Sequence, residues 1–164
     1  VKDHGFRHLE GLTHLISIDL NRSQVNDAGL RYLAGLNNLV FLNLAVTVIT
    51  DAGTAHLSHL ARLRALSLDR MGISDAGLGQ LANLTGLGWL GLADTKVTDA
   101  GLAHLSGLTK LYGLDLRHCE ISDAGILHLK TLTGLRGLYL VGTKVTEGGA
   151  EVLNRALPSL KIIR

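Results

Sequence analysis

The chain runs to 164 residues, enough for one domain with its own core, and 46% of them are hydrophobic although only 4% are aromatic. Sixteen Lys and Arg against 14 Asp and Glu leave a formal charge of +2, a balance that predicts no nucleic-acid partner. No window reaches the ~20 unbroken apolar residues of a membrane span, since Leu39 to Ile49 is interrupted by Asn43 and Thr47. The lone Cys119 precludes an internal disulfide and is consistent with a reducing compartment.

Repetition is visible from the first residues. Val1, Lys2 and Asp3 align with Val25, Asn26 and Asp27, so the chain is expected to begin in mid-repeat with a truncated, uncapped N-terminus. From Leu15 a 24-residue period sets Leu39, Leu63, Leu87, Leu111 and Leu135 in one column, and a last period one residue longer reaches Leu160. The expected organisation is a single domain over 1–164. It comprises a partial unit 1–14, repeats 15–38, 39–62, 63–86, 87–110, 111–134 and 135–159, and a partial unit 160–164.

Each unit has two halves. The pattern L-x-x-L-x-L, as in Leu87, Leu90 and Leu92, predicts a short strand with one inward face. Next comes V/I-[S/T/N]-D-A-G-L, as in Val97 to Leu102, where Leu102, Leu105 and Leu108 mark the buried stripe of a short helix. Thr98 is the predicted N-cap, Asp99 sits where the helix dipole favours negative charge, and Val97 and Leu102 are placed for a hydrophobic staple. Gly101 has counterparts at Gly5, Gly29, Gly53, Gly77, Gly125 and Gly149. A helix interior prefers alanine by ~1 kcal/mol, so this column predicts coils packed too closely for a side chain. One unit cannot bury its own leucines; units must stack, with strands parallel and ~4.8 Å apart.

The unit resembles the leucine-rich repeat, in its 24-residue bacterial form L-x-x-L-x-L-x-x-T-x-[V/I]-[S/T]-D-A-G-L, over essentially the whole chain. The resemblance implies an α/β fold: a right-handed solenoid with a parallel concave β-sheet and short helices on the convex side. It also implies protein recognition across the concave sheet. There are departures from the family pattern. The column Ser23, Thr47, Met71, Thr95, Cys119, Thr143 is usually asparagine in the best-known relatives, so a side-chain ladder there should break at Met71 and Cys119. Thr54 replaces a core leucine, and Glu147, Gly148 and Ala150 depart from D-A-G-L. The ending A-L-P-S-L-K-I-I-R (156–164) resembles the natural last turn of such proteins, and a native C-terminus is expected.

Catalytic and metal chemistry find little to stand on. His8, His56, His104 and His128 share a column in which neighbouring coils could bring imidazoles together, but Tyr32 and Gln80 interrupt it and no carboxylate or cysteine joins it. Asp3, Asp27, Asp51, Asp75, Asp99 and Asp123 form a second column that helix first-turn placement explains as solvated structure. Cys119 beside His118 suggests a nucleophile and base, yet strand alternation points the two side chains apart. No Ser-His-Asp grouping or phosphate-binding glycine loop occurs. The chain is expected to be no enzyme and to carry no metal or cofactor.

The outward sheet face is more informative. Phe41 and Trp89 fall in one outward column two repeats apart, Tyr139 lies one step along the strand, and Tyr112 sits near its start. Val40, Val46 and Ala65 surround the first pair, and Ile16 extends the patch. Exposed aromatics in a concavity are the usual anchors of a protein interface. Toward the C-terminus Arg117, His118, Arg136, Lys144, Lys161 and Arg164, countered by Asp115 and Glu120, form a modestly basic end that an acidic partner rim would complement. The expected function is a protein-binding module, monomeric or associating end to end through its N-terminal edge. The expected contacts are Val40, Phe41, Val46, Ala65, Trp89, Tyr112, Arg117, Arg136 and Tyr139. Two rival readings are a glycan site, with Asp19, Asn43 and Asp115 holding hydroxyls, and a structural or sensor segment of a larger receptor or effector.

Overall fold

The computed structural model describes residues 3–164, with side chains from residue 5 onward. The mid-repeat alignment of Val1 and Lys2 lies outside the described residues, as does the Asp3 side chain. Seven three-residue strands form one sheet in chain order: β1 Ser17–Asp19, β2 Phe41–Asn43, β3 Ala65–Ser67, β4 Trp89–Gly91, β5 Gly113–Asp115, β6 Gly137–Tyr139 and β7 Lys161–Ile163. All pairs are parallel, and the register aligns Ser17, Phe41, Ala65, Trp89, Gly113, Gly137 and Lys161. Each middle residue, from Ile18 through Leu42, Leu66, Leu90, Leu114 and Leu138, points into a leucine core that continues without a break from coil to coil. Phe6 closes the core beneath Gly29.

The return limbs are shorter helices than the leucine spacing suggests. They are α1 Asp27–Leu30, α2 Asp51–Thr54, α3 Asp75–Gln80, α4 Asp123–Ile126 and α5 Glu147–Ala156. Tighter 3-10 turns follow α1, α2 and α4 at Arg31–Leu33, Ala55–Leu57 and Leu127–Thr131. Between β4 and β5 the limb is 3-10 only, over Gly101–Leu105. Leu102, Leu105 and Leu108 are nonetheless fully buried, because three-residue steps suit a 3-10 face as well as an α stripe. Thr98 therefore does not cap an α-helix as expected. Its hydroxyl instead donates to Asp75 at 2.6 Å. Asn26, Ser74, Ser122 and Thr146 do accept a backbone N–H as side-chain caps.

The aspartate column is an inter-coil clamp rather than a solvated stripe. Each carboxylate takes the backbone N–H and the hydroxyl of the residue opening the next limb. The pairs are Asp27 with Thr50, Asp51 with Ser74, Asp75 with Thr98, Asp99 with Ser122 and Asp123 with Thr146, all at 2.5–2.8 Å. The glycine column follows from this clamp. A Cβ on Gly53, Gly77, Gly101, Gly125 or Gly149 would overlap the carboxylate oxygen of the preceding coil's aspartate. Close coil packing was expected; that the close neighbour is a carboxylate is what the structure adds.

Hydrogen bonding from Thr146 holds the Asp123 carboxyl below its ordinary value of 3.8. A depressed folded-state pKa stabilises above the unfolded value and loses that contribution as pH falls through the folded one. The protection of α5 amides, read as exchange relative to the intrinsic rate, should accordingly fall as pH drops below about 4. Protection unchanged across that range would count against this clamp.

Two further departures resolve simply. Thr54 is buried with its hydroxyl donated to the Asp51 carbonyl at 2.7 Å, so it leaves no unmet polar group. In the asparagine-like column Thr47, Thr95 and Thr143 each donate to the carbonyl three residues back. The expected break at Cys119 does not occur, because its thiol donates to Leu92 of the previous coil at 3.1 Å and touches Thr95 at 3.4 Å. Met71 has no proton to give and only accepts, at 3.6 Å from Thr47.

The longer last period is confined to the helical limb. Leu153 to Leu157 spans one residue more than Leu129 to Leu132, but the chain then reaches Lys161 one residue sooner, and β7 pairs with β6 in unbroken 24-residue register.

Candidate functional site

Outward positions of a strand owe nothing to the core, so their identities report on the surface. In the first outward column Phe41 and Trp89 flank Ala65, with two strand spacings, ~10 Å, between them. Phe41 is 38% exposed, while Trp89 and Ala65 are half-buried. Trp89 lies across Gly113, where any Cβ would strike its six-membered ring, and meets the Tyr139 ring edge-on at 5.8 Å and 66°. Tyr112, 54% exposed, leans over Gly88 in the same way. Glycine is the only residue flat enough to serve as floor for these rings.

Tyr139 is flanked by Arg117, whose guanidinium carbon stands 6.0 Å from its ring centre. Arg117 grips Asp115 through Nε and Nη2, the shortest contact being 2.6 Å. Asp115 is 4% exposed, so this is a nearly buried carboxylate neutralised on the spot, and the same contact raises the Arg117 pKa. Trp89, Tyr139, Arg117 and Asp115 thus form one connected cluster.

The other expected contacts are placed differently. Arg136 folds back, donating to the Thr133 and Leu135 carbonyls at 3.0 Å, as Arg64 does to Leu63. Val40 lines a hollow of about 330 Å³ with Ile16, His14, Asn38 and Arg62. Val46 lies past the end of β2, in a polar groove of about 260 Å³ that runs along the carboxyl ends of the strands. The basic C-terminal end is largely neutralised within the chain. Lys144 pairs with Glu120, Arg164 with Glu147 at 3.3 Å, and Arg117 with Asp115.

Sequence reading missed one feature of this groove. Arg22, Val46, Arg70, Asp94 and His118 all adopt a left-handed backbone, with φ of 56°, 58°, 57°, 55° and 59°, and Gly142 occupies the equivalent place in the next coil at 76°. Gly142 was the only signal in the sequence. Val46 is the most strained, because a β-branched side chain crowds the backbone there. Val46→Asn should therefore raise unfolding free energy by about 1 kcal/mol in a denaturant titration. A loss would mean that valine contacts outweigh the strain.

The Cys119 thiol is 2% exposed, and burial pushes its pKa up, away from nucleophile range, while His118 faces solvent. Among the described residues no three His, Cys, Asp or Glu side chains gather as a metal-binding group. No helix among them is long and apolar enough to cross a membrane.

A family model described as leucine-rich repeat matches residues 11–34 and 108–132. That match covers two stretches of one repeat length each, and the coil-by-coil register carries the same pattern along the sheet. The chain folds as a leucine-rich-repeat solenoid. Its leucine-rich-repeat solenoid is similar to solved bacterial structures. An internalin (InlF) from Listeria monocytogenes is 24% identical with a TM-score of 0.66, over 93% of this chain and 48% of that one. Internalin C2 from the same species is 27% identical with a TM-score of 0.75, over 98% and 74%. A leucine-rich-repeat protein of Leptospira interrogans is 21% identical with a TM-score of 0.73, over 93% and 38%. The chain thus spans about half the length of InlF. No curated protein matches the sequence.

Proposed function

We propose that this leucine-rich-repeat chain is a non-catalytic module that binds a partner protein on its concave sheet, with Phe41 and Trp89 as anchors. The observation that carries the reading is a set of rings on a surface where packing does not require them. Phe41, Trp89, Tyr112 and Tyr139 all stand on outward positions, with Trp89 over Gly113 and Tyr112 over Gly88. Rigid aromatics with two rotatable bonds bury large area at small entropic cost, and they dominate interface energetics. The Trp89–Tyr139 contact fixes the indole before any partner arrives, which reduces the ordering cost of association. A leucine-rich-repeat scaffold with internalin neighbours supports the general class, and Val40, Ala65 and Arg117 complete the proposed contact area.

The test is paired affinity capture with wild type and the Phe41→Ser, Trp89→Ser double variant, matched by circular dichroism. Two lost aromatic anchors should weaken the captured complex by about 100-fold or more. Equal capture by both proteins would remove the concave anchors from the interface.

A further inference from the structure

We propose that the groove along the carboxyl ends of β1–β5 seats an extended acidic peptide segment of the partner, about six residues long, laid across the coils. The groove runs from Arg22 to His118, four strand spacings or ~19 Å, and an extended chain rises ~3.3 Å per residue. Ala45 and Ala93 leave its floor low between the charged walls.

Backbone conformation marks this groove as more than a by-product of the turn. Gly142 occupies the equivalent turn position one coil on, so the turn accepts glycine. Five coils in succession nevertheless keep a side chain in the left-handed region, and Val46 does so while 39% exposed, where the core gains little. Strain retained without burial gathers at ligand-binding surfaces.

The charges set the chemistry of the occupant. Arg22, Arg70, Arg117 and His118 line the groove together with Asp69 and Asp94. Asp69 is already engaged, accepting from the Ala93 N–H at 2.8 Å and the Ser67 hydroxyl at 2.7 Å. Arg117 is held by Asp115. Asp94 meets Arg70 at 3.4 Å with both side chains well exposed, a weak pair that a ligand carboxylate can exchange. The Arg22 guanidinium has no partner among the described residues. The Arg22 guanidinium stands open to a carboxylate, Arg70 becomes available once its exposed pair with Asp94 is exchanged, and Val46 gives an apolar contact between them. The proposal rests on the partner's being a protein, but not on the aromatic anchors.

The experiment selects a random heptapeptide phage library on the intact chain and measures the winner, fluorescein-labelled, by anisotropy. Selected peptides should carry Asp or Glu at two positions. Arg22→Ser with Arg70→Ser should weaken binding by about ten-fold or more, and Phe41→Ser with Trp89→Ser should leave it unchanged. Val46→Asn should also weaken binding without lowering the melting temperature, which separates a contact from a fold requirement. Peptides without carboxylates, binding indifferent to the arginine pair, or no enrichment at all would overturn the proposal. Loss with the aromatic variant alone would overturn the groove and leave the concave reading standing.

Discussion

Gly125→Ala is expected to lower the unfolding free energy by about 2–4 kcal/mol, although alanine is ordinarily the better helix former. The added methyl would lie on the Asp99 carboxylate, 2.7 Å from its Cγ and 2.9 Å from its Cα. Because the Cα is backbone, rotating the aspartate cannot clear the space. Rotation would also give up the two hydrogen bonds to Ser122. Overpacking of this kind costs about 1–3 kcal/mol, and the lost charge-assisted bonds add to it. Gly107→Ala is the matched control. Nothing lies within 4 Å of its would-be Cβ, so that change should be neutral or stabilising by a few tenths of a kcal/mol. Urea titrations of the two variants decide the matter. Equal midpoints would show that the glycine column does not hold the coils together.

Asp99→Ala is expected to cost about 1.5–3 kcal/mol, the value of hydrogen bonds to a charged acceptor plus an amide left part-buried. The Ser122 N–H, 2.7 Å from Asp99 Oδ1, would lose its partner, while the Ser122 hydroxyl would keep its contact with Ala124. The informative measurement is the double variant. Removing the carboxylate clears the overlaps with Oδ1 and Cγ and leaves the 2.9 Å approach to the Cα, so Gly125→Ala in the Asp99→Ala background should cost less than it does alone, though not nothing. A coupling energy of about 1 kcal/mol or more would show that the two columns are one device. Strict additivity would mean that the clash is with backbone alone.

The fold was legible because the periodicity is short and repeated; each inward leucine is called for by the same requirement in every coil. The features that escaped reading depend on neighbours a period away. Asp99 reads as a dipole-favoured first-turn residue, and its own segment gives no hint that it serves Ser122 in the next coil. Thr98 looks like a cap because its side chain can accept, but the limb it opens is 3-10 only; Ser74, Ser122 and Thr146 make the same bond to an aspartate and cap an α-helix as well. Cys119 looks like a gap in a polar column, yet a thiol can still donate across to Leu92.

On the outward face, alternation identified which residues leave the core, and it placed Phe41 and Trp89 in one column. It did not reveal that Trp89 touches Tyr139, since those residues occupy different columns and meet only because Gly113 lets the indole lie flat. Nor did it show Arg136 turned onto its own carbonyls, because rotamer choice depends on local acceptors. The left-handed row was hidden for another reason. Arginine, valine, aspartate and histidine do not announce such a conformation, and only Gly142 does.

The unbroken offset between strands makes distance on this surface a counted quantity, changed in whole steps by adding or removing a coil. Excising residues 63–86 would rejoin two equivalent points of the repeat. The Asp51 carboxylate would then meet Thr98 in place of Ser74, which makes the same pair of bonds. The aromatic slot would close from ~10 Å to ~5 Å, with Phe41 beside Trp89 on adjacent strands. Duplicating a coil would widen it by the same increment. Gene-level gain or loss of a single 24-residue unit could thus retune which partner fits, while each remaining coil keeps the contacts that fold it.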